Sequence, residues 1–467
     1  MTIGHECGIV GVASPDAATR AIMALQAVQH RGQESAGAAS FDGALHVHKG
    51  MGLVEAVFAV EPELPGNMAV AHNRYSTCGS SSEVNAGPFV EMSELGPFAV
   101  AHNGNVVNGP ELRALVASHG LSPQSTSDSE VLAMLLRLAP GSGWADRMVW
   151  VASKVIGSYS LAILTGDGVI GVRDPLGNRP LSLGTWTGAE GATGWILASE
   201  SCAFAMVGAT LTRDVAPGEM IQIRPSGVTS LGRLPASRHA FCAFEYIYIA
   251  RPDSVIGGRT VHEVRQAIGR RLAEEHPADA DLVMGVPDSG TSAALGFATG
   301  SGIPFGEGLI KNRYVARTFI QPHQADRERL IRMKFGVLPM HGRRIVLVDD
   351  SIVRGNTLRP IVALLRDAGA AEIHVRIASP RIFDPCYLGV DMATRDELIA
   401  NHCGEADMAG RFRADSLHHV SVDGLLEAVR GSSSTMCLAC FTGQYPLRLE
   451  SERTEQAAEP VTGAMQR

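Results

Sequence analysis

The chain has 467 residues, 45% of them hydrophobic and 19% charged, with a formal net charge of −8. That length exceeds what one hydrophobic core serves, and that composition excludes a disordered or fibrous chain. The negative balance excludes nucleic-acid binding driven by bulk charge, although a local basic pocket could still hold phosphates. No uninterrupted run of eighteen apolar residues occurs, and the N-terminus lacks the pattern of a signal peptide, so a soluble cytoplasmic protein without a membrane partner is expected.

In chain order, short apolar runs separated by Gly-rich turns predict strands over 7–12, 45–48, 68–72, 97–102, 158–164, 169–172 and 220–223. Helical periodicity covers 17–29, 130–138 and 146–156, and Ser127, Asp128, Ser129 and Glu130 have the form of a capping box opening the second of these. The string AVAHN occurs at 69–73 and again at 99–103, which suits two strands of one sheet. Strands in runs with helices set apart suggest layered α+β packing over 7–233. The polar, Pro-containing stretch 234–240 suits a connection between domains. Beyond it, near-continuous apolar strands at 281–286, 344–348 and 372–378 alternate with helical patterns at 291–299 and 357–368, which implies a parallel, doubly wound α/β sheet over 241–449. The polar stretch 450–467 is expected to be a disordered tail.

The strongest local signal is at 345–357, where a buried strand runs through Asp349 and Asp350 into a small-residue loop and then a helix. Ligands bind beyond the carboxyl ends of such strands. The loop's N–H groups and the helix N-terminus can cradle a phosphate, with Ser351 and Thr357 adding hydroxyls. Adjacent carboxylates there need a cation or ligand hydroxyls to offset their repulsion. This element resembles the phosphoribosyl-diphosphate (PRPP) loop of type I phosphoribosyltransferases. A second loop at 286–292, containing Ser289, could bind a diphosphate in the same way. Between the two lies a basic segment, 311–334, with Lys311, Tyr314 and several arginines; it implies a polyanionic partner and is expected to close as a lid.

At the other end, Cys7 opens the first strand. A thiol there could act as a nucleophile, and removal of residues 1–6 as a propeptide would free its own α-amine to serve as base. Arg74 could clamp a substrate carboxylate, Asn103 and the Gly104 N–H could form an oxyanion hole, and Asp128 could accept from an α-ammonium group. These are the parts of a glutaminase. Cys437 and Cys440 form a C-x-x-C pair, with Cys242 and Cys386 far upstream; four thiolates would satisfy a zinc site or an iron–sulfur cluster equally, and the spacing does not separate them. Cys78, Cys202 and Cys403 read as small apolar side chains.

Taken together, 6–11, 244–248, 250–254, 311–322, 349–355 and 440–446 resemble the amidophosphoribosyltransferases over nearly the whole chain. The resemblance implies an N-terminal-nucleophile glutaminase domain joined to a type I phosphoribosyltransferase domain. It implies glutamine and PRPP as substrates, phosphoribosylamine as product, Cys7 as nucleophile, Arg74 and Asp128 in glutamine recognition, and Asn103 and Gly104 as oxyanion donors. Lys311, Tyr314, Asp349, Asp350, Ser351, Arg354, Gly355 and Thr357 would bind PRPP. Ser289, Asp349 and Asp350 would take Mg²⁺, and Cys242, Cys386, Cys437 and Cys440 a [4Fe–4S] cluster. A homo-oligomer under purine-nucleotide feedback is the corresponding expectation. Gly87 stands where the family commonly has Gln, Ala316 where it has Gly, His418 where a smaller residue is usual, and Asn356 in place of Thr. The alternatives are a non-catalytic binding protein on the same scaffold and a phosphoribosyltransferase that uses free ammonia.

Overall fold

The computed structural model describes residues 7–75, 82–188, 191, 193–235, 237–312, 332–392 and 394–447. The expected propeptide, Cys78, Tyr314, Ala316, most of the basic segment and the tail lie outside them. Two antiparallel sheets face each other in the first half. One runs in spatial order Thr210–Asp214, Ser182–Thr187, Thr193–Ala198, Gly8–Ala13, Met68–Arg74, Ser35–Phe41, Leu45–Met51. The other runs Gly227–Arg233, Glu219–Arg224, Gly168–Arg173, Gly157–Thr165, Gly96–Val106, Phe89–Ser93.

Period-two alternation sorts the side chains into layers. Ile9, Val70, Ala99, Ala162 and Leu197 fill the space between the sheets. Val10, Val12, Ala69 and Ala71 share a core with the helices Ala17–Ala27 and Cys202–Met206. Phe98, Val100, Leu161 and Ile163 share another with Gly109–Ser118, Asp128–Leu138 and Trp144–Ala152. The result is a helix–sheet–sheet–helix sandwich. Its inner layer is rich in small residues, so the sheets approach closely: a Cβ on Gly11 would lie 2.7 Å from Val169 Cγ1.

Two local expectations are corrected. The AVAHN strings lie in different sheets, one in Met68–Arg74 and the other in Gly96–Val106. Each supplies a strand to its own side of the sandwich, and their histidines meet across the gap, with His72 Nε2 3.1 Å from the His102 carbonyl. The segment 127–130 is not a reciprocal box. Ser127 caps the Ser129 N–H, while Glu130 turns back to accept from the N–H groups of Gln124 and Ser125. Reciprocal caps occur instead at Thr260 and Glu263, opening Val261–Glu275, and at Thr394 and Glu397.

In the second half, Leu282–Gly285, Arg344–Asp349, Glu372–Ile377 and Ser416–His419 form a parallel sheet in that order. Val346 and Val348 belong to the core on the side of Val261–Glu275 and Thr291–Ser301. Ile345 and Leu347 belong to the core on the side of Leu358–Asp367 and Glu405–Phe412. The strands are thus buried on both faces, as their unbroken apolar runs require. The fourth strand, carrying His418 and His419, was not expected, because its polar residues are satisfied by Glu405 rather than by water.

The connection is tied down at both ends. Leu234 is buried and donates its N–H to the Gly218 carbonyl at 2.7 Å, and the Ala240 N–H reaches the Leu176 carbonyl at 2.8 Å. No helix among the described residues is long and apolar enough to cross a membrane.

Candidate functional site

Cys7 sits half-buried immediately before Gly8–Ala13, its Sγ 4.0 Å from the Tyr75 carbonyl. The Gly8 N–H donates to Asn73 Oδ1 at 2.8 Å, and Arg31 Nε donates to the Cys7 carbonyl at 3.2 Å, so the backbone on both sides of the thiol is held. Asn103 is fully buried in the facing sheet, and neither Nδ2 nor Oδ1 has a hydrogen-bond partner among the described residues. An unpartnered buried amide is costly, which is the condition of a donor kept for a ligand. Gly104 follows at φ +155, and a Cβ there would lie 2.1 Å from the Ser158 carbonyl oxygen, so this position of the strand admits only glycine.

Asp128 opens Asp128–Leu138. Its Oδ2 accepts from the Val106 N–H at 3.0 Å and its Oδ1 weakly from the Ser129 hydroxyl at 3.5 Å, while the side chain keeps 20% exposure and so can still meet a cation. Arg74 is buried and pairs with Glu34 at 2.7 Å. The sequence reading had not seen this partner; Glu34 fixes the guanidinium ahead of any substrate carboxylate. Burial, helped by His102 and Arg74, pulls the His72 ring down to about 3, and burial lowers His102 as well, so both rings are neutral. Gly87 packs on His72: a Cβ there would lie 2.4 Å from His72 Nδ1.

A cavity of about 340 Å³ lies beyond the carboxyl ends of Leu282–Gly285 and Arg344–Asp349. It gathers Ser289, Lys311, Asp349, Asp350, Ser351, Arg354, Gly355 and Thr357. Burial first, and then the charge of Asp350, pushes the Asp349 carboxyl well above the usual carboxylate range. Asp350 is also raised by burial, against the hydroxyls of Ser289 and Ser351 and the charge of Arg265. Ser351 Oγ donates to Asp350 at 2.5 Å, so this hydroxyl serves the acid pair rather than standing free for a phosphate. Lys311 pairs with Asp288, and Arg354 with Glu397 at 3.2 Å.

Sequence reasoning missed the buried network between the two sites. Arg31, Glu200 and Glu245 have fully buried side chains. Arg31 bonds Glu200 at 2.7 Å and Glu245 at 2.8 Å, and Arg179 lies 3.5 Å from Glu245. His30, on the wall of the 340 Å³ cavity, reaches Glu200 Oε1 at 2.6 Å. Burial alone would raise Glu200, but His30, Arg31 and Ser254 hold its carboxyl well below its ordinary value. No spacing rule in the sequence links residues 31, 200 and 245.

The four cysteines at 242, 386, 437 and 440 line one small cavity with Asn178, Arg179 and Phe244. Parallel pairing of Phe241–Cys242 with Met436–Cys437 sets Cys242 beside Cys437. Burial pushes Cys437 up to about 11, and burial with the neighbouring thiols raises Cys440 well above its ordinary value. Cys202 and Cys403 are buried in separate apolar cores.

The chain matches the family described as "Glutamine amidotransferase domain" over residues 72–206. It is 47% identical to an amidophosphoribosyltransferase of Synechocystis sp., covering 98% of this chain and 94% of that one, and 46% identical to one of Archaeoglobus fulgidus over 96% and 100%. It is similar in structure to glutamine PRPP amidotransferase from B. subtilis complexed with ADP and GMP, with a TM-score of 0.87, 43% identity and coverage of 95% and 98%. A layered glutaminase half, a parallel-sheet half and full-length similarity together establish that the chain belongs to the amidophosphoribosyltransferase family.

Proposed function

We propose that this chain hydrolyses glutamine at Cys7 and delivers the ammonia to C1 of PRPP, forming 5-phosphoribosylamine and diphosphate. Water and glutamine give glutamate and ammonia; ammonia then displaces diphosphate from PRPP with loss of a proton. The observation that carries this reading is the presence, within one chain, of a thiol at the start of a sandwich strand, a buried Asn103 amide without a partner among the described residues, and a phosphate-loop cavity holding a buried acid pair.

Cys7 Sγ attacks the amide carbon, and Asn103 Nδ2 and the Gly104 N–H receive the developing oxyanion. The α-amine of Cys7 serves as base once 1–6 are removed. Arg74 takes the glutamine carboxylate and Asp128 its ammonium group. In the cavity, the loop 351–357 and Lys311 hold the phosphates. Ser289, Asp349 and Asp350 suit Mg²⁺: both carboxyls are raised chiefly by burial, with the charge of Asp350 adding to it at Asp349, and a divalent cation would offset that cost. Bound there, the ion would neutralise charge on the departing diphosphate.

Four thiols around one cavity also suit a metal group. The family resemblance implies a [4Fe–4S] cluster, held by Cys242, Cys386, Cys437 and Cys440, and such a cluster would cross-link segments far apart in sequence. Purine nucleotides are proposed as feedback ligands, in line with the relative solved with ADP and GMP.

The test is product formation from PRPP and Mg²⁺ with glutamine or with ammonia, on protein prepared without oxygen, alongside iron, sulfide and zinc analysis. Both nitrogen sources are expected to work. Cys7→Ala is expected to lose glutamine-dependent turnover and keep the ammonia-dependent reaction. Failure with both sources overturns the reading.

A further inference from the structure

The segment following Cys386 lies against the glutaminase centre, not only against the other cysteines. The Leu388 N–H donates to Cys386 Sγ at 3.3 Å. Its carbonyl accepts from Ser158 Oγ at 2.6 Å and from Arg179 Nε and Nη2 at 3.0 and 2.6 Å. One residue earlier, the Tyr387 carbonyl accepts from Asn105 Nδ2 at 2.9 Å. One residue later, Gly389 adopts φ +114, and a Cβ there would lie 3.3 Å from the Gly104 carbonyl carbon.

Asn105 and Ser158 are cross-strand partners, next to the pair formed by Gly104 and Tyr159. The 387–389 segment therefore grips both strands at the oxyanion position. It also reaches the nucleophile. Arg179 faces Glu245, Glu245 bonds Arg31, and Arg31 holds the Cys7 carbonyl.

We propose that Tyr387, Leu388 and Gly389 are a brace that sets the oxyanion strand against Cys7, so that the state of the four-thiol site controls glutamine hydrolysis selectively. This rests on the reading of Asn103 and Gly104 as oxyanion donors. The physical basis is direct. A neutral thiol is a weak acceptor, whereas a metal-bound thiolate receives a charge-assisted bond from the Leu388 N–H and fixes the brace. Oxyanion stabilisation depends on donors held in place before the charge develops, and small displacements are costly. Among the described residues lining the phosphate cavity, none comes from 386–389, so the brace makes no direct contact with the transferase site.

The test uses the full-length protein with Ser158→Ala, Asn105→Ala, the double variant, Ser158→Thr and Cys386→Ala. Ser158→Ala and Asn105→Ala are each expected to lower kcat with glutamine about tenfold, with little change in KM, in the ammonia-dependent rate or in metal content. Ser158→Thr keeps the hydroxyl and is expected to retain the parent rate. Hydrogen exchange in Cys386→Ala should quicken over Gly96–Val106 and stay unchanged over Arg344–Asp349. Unchanged glutamine turnover in the double variant overturns the brace, as does a parallel loss of the ammonia reaction or unaltered exchange in that strand. If Cys386→Ala does not fold, the two strand variants still decide. A parent protein inactive with both nitrogen sources sinks the proposed function instead, and the exchange result still judges the brace.

Discussion

The two sites reach readiness by opposite electrostatic routes. Around Cys7 the charged groups are neutralised or paired: His72 and His102 are neutral, Arg74 is matched by Glu34, and the unmet demand is the hydrogen bonding of Asn103. In the phosphate cavity the unmet demand is charge, with two adjacent carboxyls buried at 8% and 7% exposure. One site therefore suits a neutral amide that becomes an anion only during reaction, and the other suits a ligand that arrives with a cation. Readiness in both costs stability, and the form of that cost differs.

Four substitutions or titrations probe this contrast. Asn103→Ala should lower kcat with glutamine by about 10² to 10³, with the ammonia reaction intact. Its melting temperature should hold or rise, because an unpartnered buried amide is removed; a clear loss of stability would show that Asn103 is structural. Asp349→Asn should lower product formation from both nitrogen sources by about 10² while raising the apo melting temperature, since it deletes one of two buried like charges. Parallel loss of activity and stability would contradict the account of the cavity.

Glu200→Gln tests the seam between the sites. Breaking a buried ion pair from one side costs about 3–5 kcal/mol; here Arg31 loses one of its two buried countercharges and keeps Glu245, and chemical denaturation would read this directly. A change below about 1 kcal/mol would mean that Glu245 alone suffices for Arg31. The smallest effect is in pH dependence. His72 has a folded-state value lowered to about 3, so its contribution is present above its ordinary value near 6.5 and is lost as pH falls below that. Asp349 runs the other way: its raised folded-state value gives stability at acid pH that is lost as pH rises through it. Melting curves of apo His72→Asn and Asp349→Asn should flatten the acid and alkaline sides respectively.

Much of this was legible in the sequence, for identifiable reasons. The strand at Arg344–Asp349 is buried on both faces, so its apolar run and the acid pair at its end stand out without any partner strand. The edge and outer strands, such as Thr210–Asp214 and Gly227–Arg233, were missed because they are half-exposed and carry no continuous apolar run. Cys7, Asn103, Gly104 and Asp128 were readable as types of chemistry at strand and helix ends. Glu34, Glu200, Glu245 and Leu388 were not: Glu34 and Glu200 meet arginines distant in sequence within the first half, Glu245 meets Arg31 through the packing of the two halves, and Leu388 acts through a backbone carbonyl that has no sequence signature.

The contact between Gly87 and His72 makes these two positions a unit of inheritance. With His72 in place, the Cβ of any larger residue at 87 meets the ring at 2.4 Å, inside the closest approach that such atoms tolerate. A larger residue at 87 therefore requires the His72 ring or its strand to shift. The two positions change most readily together: a library that varies 72 and 87 jointly should return more residue types at 87 than one that varies 87 alone.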